Sequence, residues 1–221
     1  MNVFLKLFFF VVLFFQNLQA DVITHNFKKY PKTKTDFKLQ ELIKGFNYPW
    51  GITFIDKENL IITEKNGGIL KVNIVTKEVI KIKHQIKSIP FDGSDQGGLL
   101  DVLYNDGYLY FSYSHAHEEI NKKKYSSTAI ARGKLIKDEI KDFEILLIGK
   151  PMLTRNIHWG SRIIIHNNHL YAGFGERGLG MIAQDPSKHP GSIIRINIDG
   201  SIPKDNPSNK NKPNWLPEIY Q

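Results

Sequence analysis

Gly51-Ile-Thr-Phe-Ile-Asp56, Leu60-Ile-Ile-Thr63, Gly68-Ile-Leu-Lys-Val-Asn-Ile74 and Glu78-Val-Ile-Lys-Ile82 follow one another with little but turn-forming residues between them. Each run is short, rich in β-branched residues and bounded by polar or glycine-bearing separators such as Asp56-Lys-Glu-Asn59 and Lys65-Asn-Gly-Gly68, so each reads as a strand. The set then recurs. Gly98–Asn105, Gly107–Ser114, Ser126–Leu135 and Phe143–Ile148 make a second group of four strands, and Ser161–His166, His169–Phe174 and Ser192–Ile198 begin a third. The openings Gly51-Ile-Thr-Phe, Gly98-Leu-Leu-Asp and Gly160-Ser-Arg-Ile align, and no window carries a sustained helical period. Four-stranded units recurring at roughly 45–60 residues are the mark of β-propeller blades. The expected fold class is therefore all-β, a β-propeller over residues 45–221, with a β-sandwich as the second choice. Propellers close with about 4–8 blades. Three are visible, so the chain reads as the N-terminal part of a longer ring.

Ahead of this domain, Lys6 precedes an unbroken apolar run, Leu7–Phe15, and a polar stretch ending in Leu18-Gln19-Ala20. That order reads as a signal peptide over residues 1–20, cut before Asp21, which implies a periplasmic or secreted protein. The run is shorter than the roughly 20 apolar residues a membrane span needs, which favours cleavage over an anchor and leaves no stable membrane insertion afterwards. Residues 21–44 are polar and lysine-rich, an arm or a first edge strand.

Lysine and arginine exceed aspartate and glutamate by 30 − 22 = 8. The lysines are scattered over turns and strand edges, where solvation and edge protection account for them. The one dense run, Lys122-Lys123-Lys124, falls in an apparent loop with no aromatic platform, so nucleic acid is not an expected partner. There is no cysteine, so export has not been used to build disulfides and the apolar core must suffice.

Several residues suggest chemistry. His158 stands in Asn156-Ile-His-Trp-Gly-Ser-Arg162 at the mouth of the apolar run Ile163-Ile-Ile165. Imidazole titrates near neutrality and can take a hydroxyl proton and release it again. Gln96, in Asp95-Gln-Gly-Gly98, offers an amide that both donates and accepts beside two glycines that let a ligand approach the backbone. Asp101 reads as a structural charge. Gly173-Phe-Gly-Glu-Arg-Gly178 matches the dinucleotide-binding spacing, but no helix follows, since Leu179–Pro190 holds two prolines and no apolar period. A glycine-rich strand end is the better account, with Arg177 a candidate ligand contact. Trp159 is a candidate border of the same site, or else packing. His115-Ala-His117 could put two imidazoles on one strand face, short of the three or four ligands zinc requires, so no metal ligand is expected within this chain.

From about Phe46 onward the chain resembles the soluble glucose and aldose sugar dehydrogenases, the glucose/sorbosone dehydrogenase family that uses pyrroloquinoline quinone (PQQ). The matching pieces are Tyr48-Pro-Trp-Gly51 with Thr63-Glu-Lys65, Gln96-Gly-Gly-Leu-Leu-Asp-Val102, Thr128-Ala-Ile-Ala-Arg-Gly133, His158-Trp-Gly-Ser-Arg162, Gly191-Ser-Ile-Ile-Arg-Ile-Asn197 and Asp199-Gly-Ser-Ile-Pro-Lys-Asp-Asn-Pro207. The resemblance implies a six-bladed propeller of which roughly the first half is present. It implies oxidation of the C1 hydroxyl of aldose sugars to lactones, with His158 as general base, Gln96 as a substrate or cofactor contact, and an external electron acceptor. Ile157 stands where glucose-specific members carry an aspartate, which leaves the base without that orienting partner and points to broad aldose specificity. The cofactor's calcium and most of its cationic cage are expected beyond Gln221. A different class of function, an exported propeller that binds a carbohydrate or protein partner without catalysis, is compatible with the same fold.

Overall fold

The computed structural model describes residues 40–221 except Pro90 and Asp92, with the backbone alone at Ala116, His117 and Glu118. The expected signal peptide lies outside the described residues, as does the expected arm up to residue 39. Residues 40–44 are described and form no strand.

The chain folds into three antiparallel meanders. The first comprises β1 (Pro49–Phe54), β2 (Asn59–Glu64), β3 (Ile69–Asn73) and β4 (Val79–Lys81), paired in that order. The second comprises β5 (Leu99–Asn105), β6 (Tyr108–Ile120), β7 (Lys123–Ile136) and β8 (Glu139–Ile148), again in sequence order. The third comprises β9 (Gly160–His166), β10 (His169–Phe174) and β11 (Ile193–Asn197). The end of the chain takes the fourth position there. Ile219 bridges Ile194, Arg195 N–H donates to Glu218 O at 2.8 Å, and Tyr220 N–H donates to Ile193 O at 2.9 Å. The only helical pieces among the described residues are a 3₁₀ turn, Gly180–Gln184, and a single turn, Pro207–Lys210.

Local sequence sets the tight hairpins. Asp106-Gly107, Asn121-Lys122 and Asn167-Asn168 each put two successive residues at positive φ. That is the two-residue turn whose twist suits right-handed strands, and Asn, Asp and Gly tolerate it best. The turn at Asn121-Lys122 corrects the expected loop: Lys123 and Lys124 already belong to β7, and the β6–β7 hairpin extends well past its neighbours.

The second meander is buried on both faces. Leu109, Phe111 and Tyr113 on β6, with Ala129 and Ala131 on β7, pack against Ile61, Ile69 and Ile82 of the first meander. Their alternates, Tyr110 and Ile130, pack against Ile163, Leu170, Ala172 and Ile194 of the third. A strand covered on both sides needs apolar residues at successive positions, which is why β6 reads as a continuous run. The outward faces of the flanking meanders differ. Ile52 is 60% exposed, Phe54 55% and Ile164 61%. Each meander presents its first strand to the next, β1 against β5 and β5 against β9. This is blade-like packing, not the two facing sheets of a sandwich.

Side chains stitch those inner strands together. Thr63, fully buried, accepts from Gly51 N–H at 3.0 Å and donates to Leu100 O at 2.5 Å. Asp101, on β5, accepts from Ile163 N–H at 2.9 Å and from Arg162 Nη1 at 2.8 Å, both on β9. Ser112 donates to Ser161 O at 2.7 Å. Thr63→Val keeps the shape but strands one buried donor and one buried acceptor. It is expected to cost about 1–3 kcal/mol, read as a lower midpoint in urea unfolding with an unchanged slope.

Candidate active site

Because β1, β5 and β9 are neighbours, the coil segments that lead into them meet at one end of the molecule. Gln96 N–H donates to Asn156 O at 3.2 Å, and Gln96 Oε1 accepts from His158 N–H at 2.8 Å. Among the described residues the Nε2 of that amide has no protein partner. Gly98 lets the same segment lie against the end of β2: its φ is +122°, and a Cβ there would sit 2.1 Å from Lys65 O.

His158 is half exposed and lies at φ 50°, in the left-handed region. Its Nδ1 is 2.5 Å from Glu176 Oε1, in the turn that follows β10. Gly175 allows that turn to press on the loop, since a Cβ there would fall 1.9 Å from His158 O. The hydrogen bond from His158 is the main reason the Glu176 carboxyl is held below the usual glutamate range. An ionised carboxylate only accepts, so the hydrogen of this pair resides on Nδ1. In the neutral ring that leaves the lone pair on Nε2, which has no hydrogen-bond partner among the described residues. An accessible imidazole with its far nitrogen fastened to a carboxylate is the arrangement of a general base.

Sequence reasoning missed Glu176. It lies inside Gly173–Gly178, where the spacing drew attention to the glycines and away from the acid between them. The expectation that His158 lacks an orienting partner is corrected here, because the partner arrives from β10 and not from the preceding residue. Trp159 and Arg177, expected as ligand contacts, are turned inward and are each only 2% exposed. Trp159 packs with Ile89 and Leu100, and its Nε1 donates to Asn156 O at 3.1 Å. The Arg177 guanidinium stacks 3.4 Å from the centre of the Trp159 ring and donates to backbone carbonyls and to Ser126. Asp101 is the structural charge expected. His115 stacks near Tyr113, with ring centres 5.8 Å apart. Among the described residues no group of three or more His, Cys, Asp or Glu is placed to hold a metal.

A second imidazole–carboxylate pair lies close by in sequence but is built differently. His189, 2% exposed, accepts from Lys150 N–H through Nδ1 at 2.8 Å and faces Glu218 Oε2 at 3.2 Å through Nε2. Both ring nitrogens are spent on the protein, so this pair ties the end of the chain to the segment after β8.

The glucose/sorbosone dehydrogenase family model matches residues 46–221. The chain belongs to the glucose/sorbosone dehydrogenase family. It is 29% identical over 170 residues to the aldose sugar dehydrogenase YliI of Escherichia coli, covering 73% of this chain and 44% of that protein. It is 26% identical over 210 residues to quinoprotein glucose dehydrogenase B of Acinetobacter calcoaceticus, covering 81% of this chain and 43% of the relative. The chain thus spans under half the length of these relatives. Its fold superposes on a glucose dehydrogenase crystal structure with a TM-score of 0.71 at 25% identity, over 81% of this chain and 53% of that one. All three segments of the site, around Gln96, His158 and Glu176, fall within the residues the family model matches.

The His158–Glu176 pairing has a titration signature. A depressed carboxyl pKa means that the contact supports the fold above the ordinary glutamate range and is lost as pH falls through the lowered value. His158→Phe removes the partner and should raise the Glu176 midpoint toward that of a free glutamate, read by carbon-detected NMR of the side-chain carboxyl. An unchanged midpoint would show that the pair does not form in solution.

Proposed function

We propose that this chain carries the general base of a quinone-dependent aldose dehydrogenase that oxidises the C1 hydroxyl of a sugar to a lactone. The observation that carries the reading is the accessible His158 imidazole, held through Nδ1 by Glu176, within a chain of this family. In the proposed reaction the sugar's C1 hydroxyl donates its proton to His158 Nε2. The carboxylate of Glu176 stabilises the resulting imidazolium and keeps the ring from turning. Gln96 fixes the base's main chain through Oε1 and presents its amide Nε2 to a sugar hydroxyl or a quinone oxygen.

Pyrroloquinoline quinone, when bound, supplies the two-electron acceptor for the C1 hydride. The residues present fit one side of such a cofactor: a base, an amide donor and a glycine-lined backbone. They do not supply a cationic cage for its carboxylates, because Arg177 is sealed beneath Trp159. Among the described residues no cluster of His, Cys, Asp or Glu fits the calcium that the family resemblance brings with the quinone.

The same reading gives a reason for the exposed apolar faces. We take the three meanders as half of a six-bladed ring, whose further blades would cover Ile52 and Phe54 on one side and Ile164 on the other. Covering each such side chain is worth roughly 1.5–3 kcal/mol. Export follows from the charged start and apolar run at Lys6–Phe15, and an external acceptor would drain the reduced cofactor.

Full-length protein supplied with the quinone and calcium is expected to reduce a dye with an aldose as substrate. His158→Ala should lower that rate by on the order of 10²–10⁴-fold, the usual size of a general-base contribution. A variant as active as the parent would remove His158 from the role.

A further inference from the structure

His158 does not hold its conformation unaided. A side-chain-bearing residue in the left-handed region is disfavoured and persists only where its surroundings impose it. Residues 154–159 lie between an isolated bridge at Leu153 and the start of β9 and belong to no strand or helix. Their main chain is gripped from outside by the turn after β10. Gly175 N–H donates to Trp159 O at 3.0 Å and Arg177 N–H to His158 O at 3.3 Å. The Arg177 side chain extends the grip. Nε donates to Ile157 O at 3.2 Å, Nη2 donates to Arg155 O, and the guanidinium reaches Ser126 O and Oγ on β7, each at 3.1 Å. Its flat face rests on Trp159.

We propose that Arg177 is a positioning residue for the base: by fastening the carbonyls on either side of Asn156 to Ser126 of β7, it holds His158 where Nδ1 meets Glu176. This rests on the assignment of His158 as the base. The chemistry favours an arginine. Its fork sends donors in several directions in one plane and stacks on an aromatic ring, whereas a lysine has one compact ammonium. Burial lowers the Arg177 pKa to about 10, which still leaves the group cationic at neutral pH. Among the described residues its partners are carbonyls, one hydroxyl and a π face, so the cation is not neutralised by an adjacent carboxylate. A position needed only for packing is filled more cheaply by an apolar side chain of similar volume. The arrangement makes sense as a device for loop geometry.

The test compares Arg177→Met and Arg177→Lys with the parent. In the protein without cofactor, the Glu176 carboxyl should titrate nearer to an ordinary glutamate in both variants, because the hydrogen bond from His158 is lost. With quinone and an aldose, kcat should fall by on the order of 10²-fold, with KM changed less than about twofold and with the pH profile of kcat/KM displaced. Lysine should not rescue, since it keeps the charge but not the fork. A role confined to stability would lower the fraction of folded protein and leave the Glu176 titration and the pH profile alone; that result would overturn the proposal. Full rescue by lysine would overturn it as well. If Arg177→Met does not fold, Arg177→Lys decides by the same titration. The two assignments fail separately: if His158→Ala retains activity while the Arg177 variants still shift Glu176, the base is wrong and the clamp stands.

Discussion

The structure depends on how the inner edges of its meanders are satisfied. A sheet that ends at β1, β5 or β9 presents main-chain groups that are costly to bury without partners. Here those edges are buried against one another and are joined by side chains rather than by a continuous ladder. Thr63 links Gly51 to Leu100, Asp101 reaches from β5 to β9, and Ser112 reaches Ser161. These are short polar groups of fixed reach, so they set both the spacing and the relative tilt of the meanders. Apolar packing between the sheets supplies most of the driving force but would tolerate some sliding. The hydrogen-bonded stitches do not.

The site inherits its precision from that arrangement. Gln96 is brought to His158 only because β5 and β9 are neighbours, and Glu176 only because β10 pairs with β9 and its exit turn folds back. Two other coil segments therefore converge on the one that carries His158, Gln96 at its main chain and Glu176 at its ring. Coil alone would leave the ring mobile. The convergence, together with the sealed Arg177–Trp159 stack, gives the loop the support that a strand would otherwise provide. Binding and catalytic residues are disproportionately carried on loops, and rigid strands beneath them fix where those loops start.

The two imidazole–carboxylate pairs show that the same chemical groups serve different ends according to access. His158 spends Nδ1 on Glu176 and leaves its other nitrogen toward solvent, since half of the side chain is exposed. His189 spends both nitrogens on Lys150 and Glu218 within the protein. Residue type alone does not separate them, since the difference lies in what surrounds each ring.

Sequence alone determined the succession of short strands, their grouping into recurring sets and the turn at Lys65-Asn-Gly-Gly68, because these rest on short β-branched apolar runs and on local backbone preferences. It singled out Gln96 and His158 separately, and the hydrogen bond between them emerged only in the fold. Only the tertiary structure decided which side chains around His158 face outward. Trp159 and Arg177, candidates for ligand contact, face inward, while Glu176, which the sequence reading passed over, meets the His158 ring. The physical reason is that a turn's side chains take their direction from whichever neighbouring strand they close against, and the pairing of β10 with β9 and the stitching of β9 to β5 are long-range outcomes that no local pattern encodes.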